Sequence, residues 1–411
     1  MAFCRKNDMP MAVMSALRRG ACRMGRYAVR SINTPSRLQH AIAPRPHSKS
    51  VIHHGNVAWP ISAKEDRTIP IGQSAPLTGP VADAFKGVLA GEKLAFDQIN
   101  RKGGIDGRKV DLILLDDGYD PRRTLENVNT LIERDKVIAL TGLGSTAGVG
   151  AVLPLLLEKK VPLVGVYTGA PNLRMRPHPY FFTTQASFKD EVTYSIRNLV
   201  TLNSGRIAVV YQNNEFGKLM LPVAEQAIKD QGATLVGTAA LGIDGSDAVA
   251  AAQSIAGKQP QAVLMIAVGP SVVGYVKANR SFVGVPIYTI STALGALPAL
   301  GDDARGLAIT QVIPYPWRQT TNMARDFAAE CERAKVPVAY DTYGGYLLAR
   351  FLLDALKRCG RTINSEVLVK TIEGKQNWDY GGIGLNFSAS NHHGTNFVET
   401  TIVGPRMTFM R

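Results

Sequence analysis

Two short stretches place hydroxyl side chains and glycines directly after predicted strands. The sequence GLGSTA at 142–147 follows one predicted strand and precedes a helix pattern, and YTG at 167–169 ends the next strand. Unpaired N–H groups at a helix N-terminus attract anions, and nearby hydroxyls add donors. We therefore expect Ser145 and Thr146 to contact a carboxylate. The alternative is that Ser145 only caps its helix, a role compatible with ligand binding.

The elements that would position these residues alternate regularly from residue 68 onward. Strand patterns and helix patterns follow each other as far as residue 314, and a second set starts at 206. Such alternation predicts an α/β fold in which helices cover both faces of parallel sheets, and ligands bind outside the carboxyl ends of such strands. Two sets predict two doubly wound lobes. After residue 314, long helices and then strand patterns at 384–387 and 397–403 follow.

Composition limits the kind of protein. The chain has 411 residues, of which 45% are hydrophobic, and this suffices for two cores. Its formal charge is +14, but residues 1–67 carry +9 of it and the remainder only +5. Because the remainder lacks a basic run interleaved with aromatic residues, we expect no nucleic-acid partner. No apolar run reaches the roughly 18 residues that a membrane-spanning helix needs.

Residues 1–67 lack the periodic pattern of folded structure, and we interpret them as a disordered or mis-assigned N-terminal segment. A secretory signal combines a basic start, a long apolar core and a small-residue cleavage site. Here the apolar stretch at 11–17 is short and two arginines follow it. The segment is therefore either a degenerate export signal or the product of a wrongly chosen start codon.

The cysteines and histidines do not have the spacing of a metal site. We expect Cys331 and Cys359, on successive predicted helices, to be separate thiols, because the second helix carries Cys359 away from the first. The neighbouring pair His392 and His393 is more typical of a solvated turn than of a metal site.

An NAD-dependent enzyme is the less favoured alternative. Gly142 and Gly144 resemble the start of a dinucleotide-binding turn, but a third glycine in register and an acidic residue about 20 residues further on are missing. Motifs of a nucleophile elbow, a zinc protease and a P-loop are missing as well. The carboxylates of Asp116, Asp117 and Asp120 fit turn and capping roles. We therefore expect no catalytic residue, no cofactor and no metal.

Four stretches resemble the branched-chain amino-acid-binding proteins of bacterial ABC transporters, which are periplasmic binding proteins of type I. Their order and spacing match, and the resemblance extends from about residue 68 to the C-terminus. It implies two Rossmann-like lobes with parallel sheets, joined by three crossover segments around a ligand cleft that closes by a hinge. The four stretches are Ile71–Pro80, Ile99–Lys109, Asp116–Pro121 and Tyr340–Tyr346.

The resemblance also implies where the lobes begin and end. Lobe 1 would comprise residues 68–185 plus 315–384, and lobe 2 residues 186–314 plus 385–411. The crossovers would lie near Thr183–Ser187, Val312–Tyr315 and Leu385–Ser388.

A member of this family would be a periplasmic, mostly monomeric protein that captures a ligand and delivers it to an ABC transporter permease. It would not be an enzyme. The same fold also serves as a ligand-sensing module of regulatory systems, an alternative that becomes stronger if the chain has no export signal.

The family's binding residues can be carried over position by position. Ser145 matches the family's carboxylate-binding serine. The turn Tyr167–Gly169 matches a segment that holds the ligand head group, with Thr168 supplying a hydroxyl. Phe85 and Phe216 match aromatic positions that line the pocket, although helix packing would explain them equally.

One position departs from the family pattern. Amino-acid binders of the family pair the ligand ammonium with an acidic residue after the strand at 286–290, where this chain has Ser291 and Thr292. An unpaired ammonium in a closed cleft costs several kcal/mol. A carboxylate without an ammonium is therefore as plausible a ligand as an amino acid, unless Asp244 or Glu215 substitutes for the missing acid.

The serine can be tested directly. Ser145→Ala is expected to weaken ligand binding by about 1–3 kcal/mol, because a charged hydrogen bond is lost, without unfolding the protein. Calorimetric titration of wild type and variant measures this difference. Equal affinities would remove Ser145 from the binding site.

Overall fold

The computed structural model describes residues 68–175 and 177–411. The predicted N-terminal segment, 1–67, lies outside the described residues. The strands are β1 (Thr68–Ala75), β2 (Lys109–Asp116), β3 (Ala139–Leu143), β4 (Leu163–Val166), β5 (Phe181–Phe182), β6 (Arg206–Gln212), β7 (Thr234–Leu241), β8 (Ala262–Ile266), β9 (Ile287–Thr289), β10 (Ala308–Gln311), β11 (Trp378–Tyr380), β12 (Ile383–Leu385), β13 (Glu399–Val403) and β14 (Phe409–Met410).

The helices of the described residues vary in length from one turn to five. They are α1 (Ala82–Arg101), α2 (Pro121–Glu133), α3 (Thr146–Lys159), α4 (Phe188–Thr201), α5 (Glu215–Asp230), α6 (Ala248–Ala256), α7 (Pro270–Phe282), α8 (Leu297–Leu300), α9 (Asn322–Ala334), α10 (Tyr340–Arg358) and α11 (Ser365–Gly374). A 3-10 segment at Ser291–Ala296, between β9 and α8, contributes to the site described below.

Two sheets carry the fold. The first has the strand order β2-β1-β3-β4-β5, and its strands are all parallel. The second has the order β14-β13-β10-β9-β8-β6-β7 and is parallel from β10 to β7. Strand β13 is antiparallel to both of its neighbours, β10 and β14. Strands β11 and β12 form a separate antiparallel hairpin.

Three apolar clusters fill the space between sheets and helices. Neighbouring strand residues point to opposite faces, so Ala139 belongs to the cluster under α1 and α10 while Leu140 belongs to the cluster under α2 and α3. The second of these clusters continues to Ile207 on one face of the second sheet, and Ala208 belongs to the third cluster on the other face. Each sheet is therefore covered on both faces.

Helices α1 and α10 approach each other unusually closely. A Cβ added at Gly91 would lie 1.9 Å from the Thr342 carbonyl oxygen, and one added at Gly345 would lie 1.9 Å from the Val88 carbonyl oxygen. Only glycine fits at such backbone contacts. Because α10 follows β1 to β10 in the chain, this contact joins a late helix to the first one.

Segments near two predicted crossovers pair with each other. Thr183 donates its N–H to the His392 carbonyl at 2.9 Å, and Gly394 donates to the Thr183 carbonyl at 2.9 Å. The predicted solvated turn at His392 is wrong: the ring is only 6% exposed, stacks on Phe182 at 3.9 Å, and bonds Glu373 at 2.9 Å. The pairing of residues distant in sequence buries this ring, which a local pattern does not reveal.

The short strands and the two cysteines of the described chain can be compared with the sequence predictions. The strand pattern at 384–387 overlaps β12, whereas β10, β11 and β14 were not predicted. Cys331 is buried and Cys359 partly buried, and both are free thiols. In the described part of the chain, none of the helices has the length and apolarity needed to cross a membrane. The lobe boundaries stay a prediction.

Candidate functional site

A cavity of about 150 Å³ lies at the carboxyl ends of strands from both sheets. Segments that directly follow β2, β3 and β4 form one wall, and segments that follow β8, β9 and β10 form the other. Helix α1, the start of α5 and the start of α10 complete the lining. The aromatic members are Phe85, Tyr119, Tyr167, Phe188, Phe216 and Tyr340, and the hydroxyl and amide members are Thr146, Thr168, Gln185, Ser291, Thr292 and Gln311.

Two threonine hydroxyls form the polar part of the first wall. Thr146, the first residue of α3, and Thr168, after β4, have their Oγ1 atoms 2.7 Å apart. Thr168 Oγ1 also accepts the N–H of Ala170 at 3.3 Å. Each hydroxyl can both donate and accept, and the α3 N-terminus adds a favourable field for negative charge. This corner is suited to a carboxylate.

Aromatic rings form the apolar part of the walls. Phe85 and Tyr167 meet edge to face with ring centres 5.9 Å apart, and Phe188 and Phe216 meet in the same way at 5.2 Å. Edge-to-face pairs are a favourable arrangement of aromatic rings. The four rings give the cavity two stiff apolar surfaces that suit a branched or aromatic group.

The glycines that resemble a dinucleotide-binding turn have a steric role here. Gly142 has a positive φ of 67°, and a Cβ there would lie 2.1 Å from Gln73 Nε2. A Cβ at Gly144 would lie 2.2 Å from the Phe85 ring. The two glycines therefore make room for a buried amide and for a ring of the cavity wall.

The second wall rests on a buried carboxyl group. Glu191 of α4 accepts the Ser291 N–H at 2.7 Å, the Ser291 hydroxyl at 3.0 Å and the Thr310 hydroxyl at 2.6 Å. Thr292 bonds the Ala267 carbonyl at 2.9 Å. These bonds fix the start of the 3-10 segment that faces the cavity. Burial raises the pKa of Glu191 to about 7.

Six of the eight residues proposed from the sequence line the cavity: Phe85, Thr146, Tyr167, Thr168, Phe216 and Thr292. Ser145 and Gly169 are not among the lining residues. The Ser145 hydroxyl caps α3 by accepting the Gly148 N–H at 2.8 Å, so Ser145→Ala also removes a helix cap. Gly169 packs behind the wall, where a Cβ would lie 2.7 Å from Phe188 Cδ1. Contact of all eight with a ligand stays a prediction.

Sequence reasoning missed a carboxylate in the lining. Asp341, at the start of α10, lines the cavity and accepts the Thr342 N–H at 2.7 Å. Its side chain packs on α1, where a Cβ at Gly87 would lie 1.9 Å from Asp341 Oδ2. In the described chain it forms no ion pair, and Asp244 and Glu215 do not line the cavity. The motif containing Asp341 was noted for its resemblance, but only the packing of α10 reveals its position.

The aspartates after β2 have the expected turn and capping roles. Asp116 accepts the N–H groups of Leu77 and Thr78 at 2.9 and 3.1 Å, and the Thr78 hydroxyl at 2.7 Å. These bonds hold the pKa of Asp116 well below its usual range. Asp120 caps α2 by accepting the Arg122 N–H at 2.8 Å.

Another buried carboxyl, Glu92 of α1, lies behind the first wall. Its Oε1 accepts the Tyr167 hydroxyl at 2.7 Å and Gln73 Nε2 at 3.1 Å. Burial raises the pKa of Glu92 to about 7 and that of Tyr167 well above its ordinary value. Tyr167 is therefore a wall residue whose phenol is anchored from behind.

The site has the chemistry of a binding pocket. Lysine, arginine and histidine are absent from its lining, and no cluster of potential metal ligands occurs among residues 68–175 and 177–411. Hydroxyls, amides and aromatic rings can hold and orient a small molecule. A carboxylate would be bound by neutral donors at the start of α3 rather than by a cationic side chain.

Comparisons with known proteins agree with this geometry. A sequence model of the family described as periplasmic binding protein matches residues 68–400. The Leu/Ile/Val-binding protein homolog 3 of Brucella melitensis is 31% identical over 174 residues, 41% of this chain and 46% of that protein. The matched region thus spans about half the length of the curated relatives.

Solved structures share the fold over nearly the whole described chain. The extracellular ligand-binding receptor of Verminephrobacter eiseniae is 28% identical with a TM-score of 0.78, covering 84% of this chain and 100% of that one. A solute-binding protein of an ABC transporter from R. palustris, in complex with 4-hydroxybenzoate, is 19% identical with a TM-score of 0.71, covering 82% and 93%. The resemblance seen in the sequence and the predicted fold class are confirmed.

The buried carboxyl of the second wall makes stability depend on pH. Because the folded pKa of Glu191 is raised from 4.5 to about 7, its protonated form favours the folded state. This contribution is complete below pH 4.5 and is lost as the pH rises through 7. We expect the stability of wild type relative to Glu191→Gln to fall by on the order of 3 kcal/mol between pH 5 and pH 8. Urea unfolding at several pH values measures it.

The variant comparison is necessary because another group acts in the opposite direction. Burial lowers the pKa of His393 to about 4, so its contribution increases over the same pH range. Glu126, on the exposed side of α2, provides the matched control, Glu126→Gln, for which the difference from wild type should not change with pH. A Glu191→Gln difference that is equally flat would contradict the assignment.

Proposed function

The chain belongs to the periplasmic binding protein family, and we propose that it captures a small carboxylate-bearing ligand in the cavity between its two sheets and delivers it to an ABC transporter permease. We place this activity in the periplasm and assign it to a monomer. The observation that carries the proposal is the cavity, in which both sheets contribute strand ends and the lining is aromatic and hydroxyl-bearing.

The size and lining of the cavity narrow the ligand class. A cavity of about 150 Å³ has room for an apolar group of roughly the size of a benzene ring. The Brucella relative is named for leucine, isoleucine and valine, and the R. palustris protein binds 4-hydroxybenzoate. Both kinds of ligand join a compact apolar group to a carboxylate. We therefore propose a branched or aromatic acid, with Thr146 and Thr168 holding its carboxylate.

Asp341 is the candidate partner for an ammonium group on this acid. From the sequence alone, an acid without an ammonium group and an amino acid were equally favoured, because Thr292 replaces the family's acidic residue. The carboxylate of Asp341 lines the same cavity from α10, and it offers a partner for a cationic group. If the ligand has no ammonium group, the Asp341 carboxylate is still stabilised, because it lies at the N-terminus of helix α10.

Matched ligands separate these two possibilities. We expect residues 68–411 to be stabilised against heat by a branched or aromatic acid, by about 2.7 kcal/mol at 100 times its dissociation constant. L-Phenylalanine is compared with 3-phenylpropionate, and L-leucine with 4-methylpentanoate. If Asp341 binds the ammonium, the amino acids bind at least tenfold tighter and Asp341→Asn removes this advantage.

The control for this experiment is the response of the amine-free acids, which Asp341→Asn should leave equal to wild type or improve. Tighter binding of the amine-free acids by wild type assigns Asp341 a structural role only. Thr168→Val should weaken both classes, because each has a carboxylate. No stabilisation by any of the four acids, nor by 4-hydroxybenzoate, would overturn the proposed ligand class.

The 3-10 segment that follows β9 contacts helix α1 closely. A Cβ at Gly295, in the 3-10 segment, would lie 2.4 Å from the Ala84 Cβ of α1. Ala84 and Gly295 both line the cavity, so the segments meet beside the proposed ligand. We propose that this contact forms when the cleft closes and that only glycine allows full closure.

A pair of small substitutions tests closure. Gly295→Ala should weaken ligand binding about tenfold or more, because the added methyl prevents close approach, while the unliganded protein keeps its melting temperature. Ala84→Gly combined with Gly295→Ala should restore most of the affinity. Gly257→Ala is the control, since a Cβ there meets no atom within 4 Å. Unchanged affinity in Gly295→Ala would refute this mechanism of closure.

A further inference from the structure

Glu92 is a fully buried carboxyl group without a charged partner among the described residues. Its exposure is 0%, and it takes part in none of the ion pairs of the described residues. Both of its hydrogen bonds go to one oxygen, Oε1, which accepts from Tyr167 and Gln73. The second oxygen, Oε2, is buried without a partner. A buried acceptor left in this way costs free energy.

The side-chain amide of Gln73, which faces Glu92, also has a buried acceptor without a partner. Gln73 Nε2 donates to Glu92 Oε1 at 3.1 Å and to the Gly142 carbonyl at 3.2 Å. The other atom of this amide, Oε1, is buried and has no partner. Two side chains joined by one hydrogen bond thus each retain one unused acceptor. An ionised carboxylate accepts only, so it cannot satisfy the amide oxygen.

One proton on Glu92 Oε2 would give hydrogen-bond partners to both unpaired oxygens, Glu92 Oε2 and Gln73 Oε1. A protonated carboxyl is a donor at one oxygen and an acceptor at the other, which matches an amide that has one donor and one acceptor. Glu191 differs from Glu92 in this respect, because both of its carboxyl oxygens accept hydrogen bonds, from Ser291 and Thr310. We propose that Glu92 is a neutral carboxylic acid in the folded protein, that it donates to Gln73 Oε1, and that this acid–amide pair positions Tyr167 in the ligand cavity.

The position of Tyr167 gives the pair its functional effect. The ring of Tyr167 lines the cavity and meets Phe85 at 5.9 Å, while its hydroxyl is held by Glu92 at 2.7 Å. Ionisation of Glu92 would create a buried negative charge directly behind the wall that meets a carboxylate ligand. Like charges in such a setting repel strongly. Ligand affinity therefore falls when Glu92 loses its proton, an inference that rests on the proposed function.

The tyrosines beside Glu92 do not ionise near neutral pH, and Glu191, whose pKa is also about 7, lies behind the opposite wall. Tyr167 at the end of β4 and Tyr380 of the hairpin both have raised pKa values, because they are buried. Asp341 of α10 packs against Gly87 of the same helix as Glu92. The pKa of Glu92 itself is raised to about 7 by burial, which agrees with the hydrogen-bond geometry.

Two substitutions and two measurements test the proposal. Glu92→Gln keeps one acceptor and one donor but cannot ionise, and Glu92→Leu removes both. At pH 6, the infrared difference spectrum of wild type minus Glu92→Gln should contain a protonated-carboxyl C=O band, because the band of Glu191, present in both proteins, cancels. The affinity of wild type for 3-phenylpropionate or L-phenylalanine should fall by up to about tenfold per pH unit above pH 7. Glu92→Gln should lose this slope, and Glu92→Leu should bind more weakly at every pH.

The outcomes separate this proposal from the proposed function. Glu126→Gln is the control and should retain the wild-type slope. Absence of the C=O band, or a Glu92→Gln variant that keeps the wild-type slope, overturns the proposal. If wild type binds neither probe at pH 6 or pH 8.5, the proposed ligand class fails, and the infrared band still decides the protonation state of Glu92.

Discussion

Parallel strand pairing is the constraint on which the site depends. In a parallel sheet every strand ends at the same edge, so loops that are distant in sequence become neighbours. The first sheet in this way brings Tyr119, Thr146 and Thr168 together, and the second brings Ser291 and Gln311 together. The two edges face each other across the cavity. Of the named residues, Tyr119 alone has a left-handed backbone conformation, with a φ of 68°.

The polar groups behind the walls follow from the same arrangement. A segment that lines a small cavity has its rear side in the protein interior, where its polar atoms require internal partners. On the first side, Glu92 holds the phenol of Tyr167. On the second side, Glu191 holds the backbone and hydroxyl of Ser291. The two carboxyls stand in equivalent places but have different surroundings, since one has an unused oxygen and the other has none.

The sequence was sufficient for the fold class and for those site residues that directly follow strands. Thr146 and Thr168 could be located because a strand pattern precedes each of them, and the resemblance located Phe85 and Phe216. All four line the cavity. Ser145 does not, because a helix cap and a ligand contact produce the same sequence signal and the cap role turns the hydroxyl toward Gly148.

The residues that sequence reasoning missed depend on long-range packing. Asp341 reaches the cavity only because α10 packs on α1 through glycines. Gln185 follows the two-residue strand β5, and Gln311 is the last residue of β10, a strand that was not predicted. Glu92 was not singled out in the sequence, and its burial depends on the packing of α1 against the strand residue Gln73. Strand β10 was missed because its four buried residues are too few to show a period.

The contact between α1 and α10 has a consequence for how the polypeptide can fold during synthesis. The cluster under α1 contains Leu94 and Phe96 from the start of the described chain, but also Tyr343, Leu352 and Leu385 from its last quarter. A nascent chain emerges from the ribosome N-terminal end first. Its first sheet therefore has one uncovered apolar face until the ribosome has translated nearly the whole message, whereas residues 206–311 contain most strands of the second sheet in one continuous stretch. Both sheets are completed only by the last part of the chain, the first by α10 on its open face and the second by β13 and β14 at its edge.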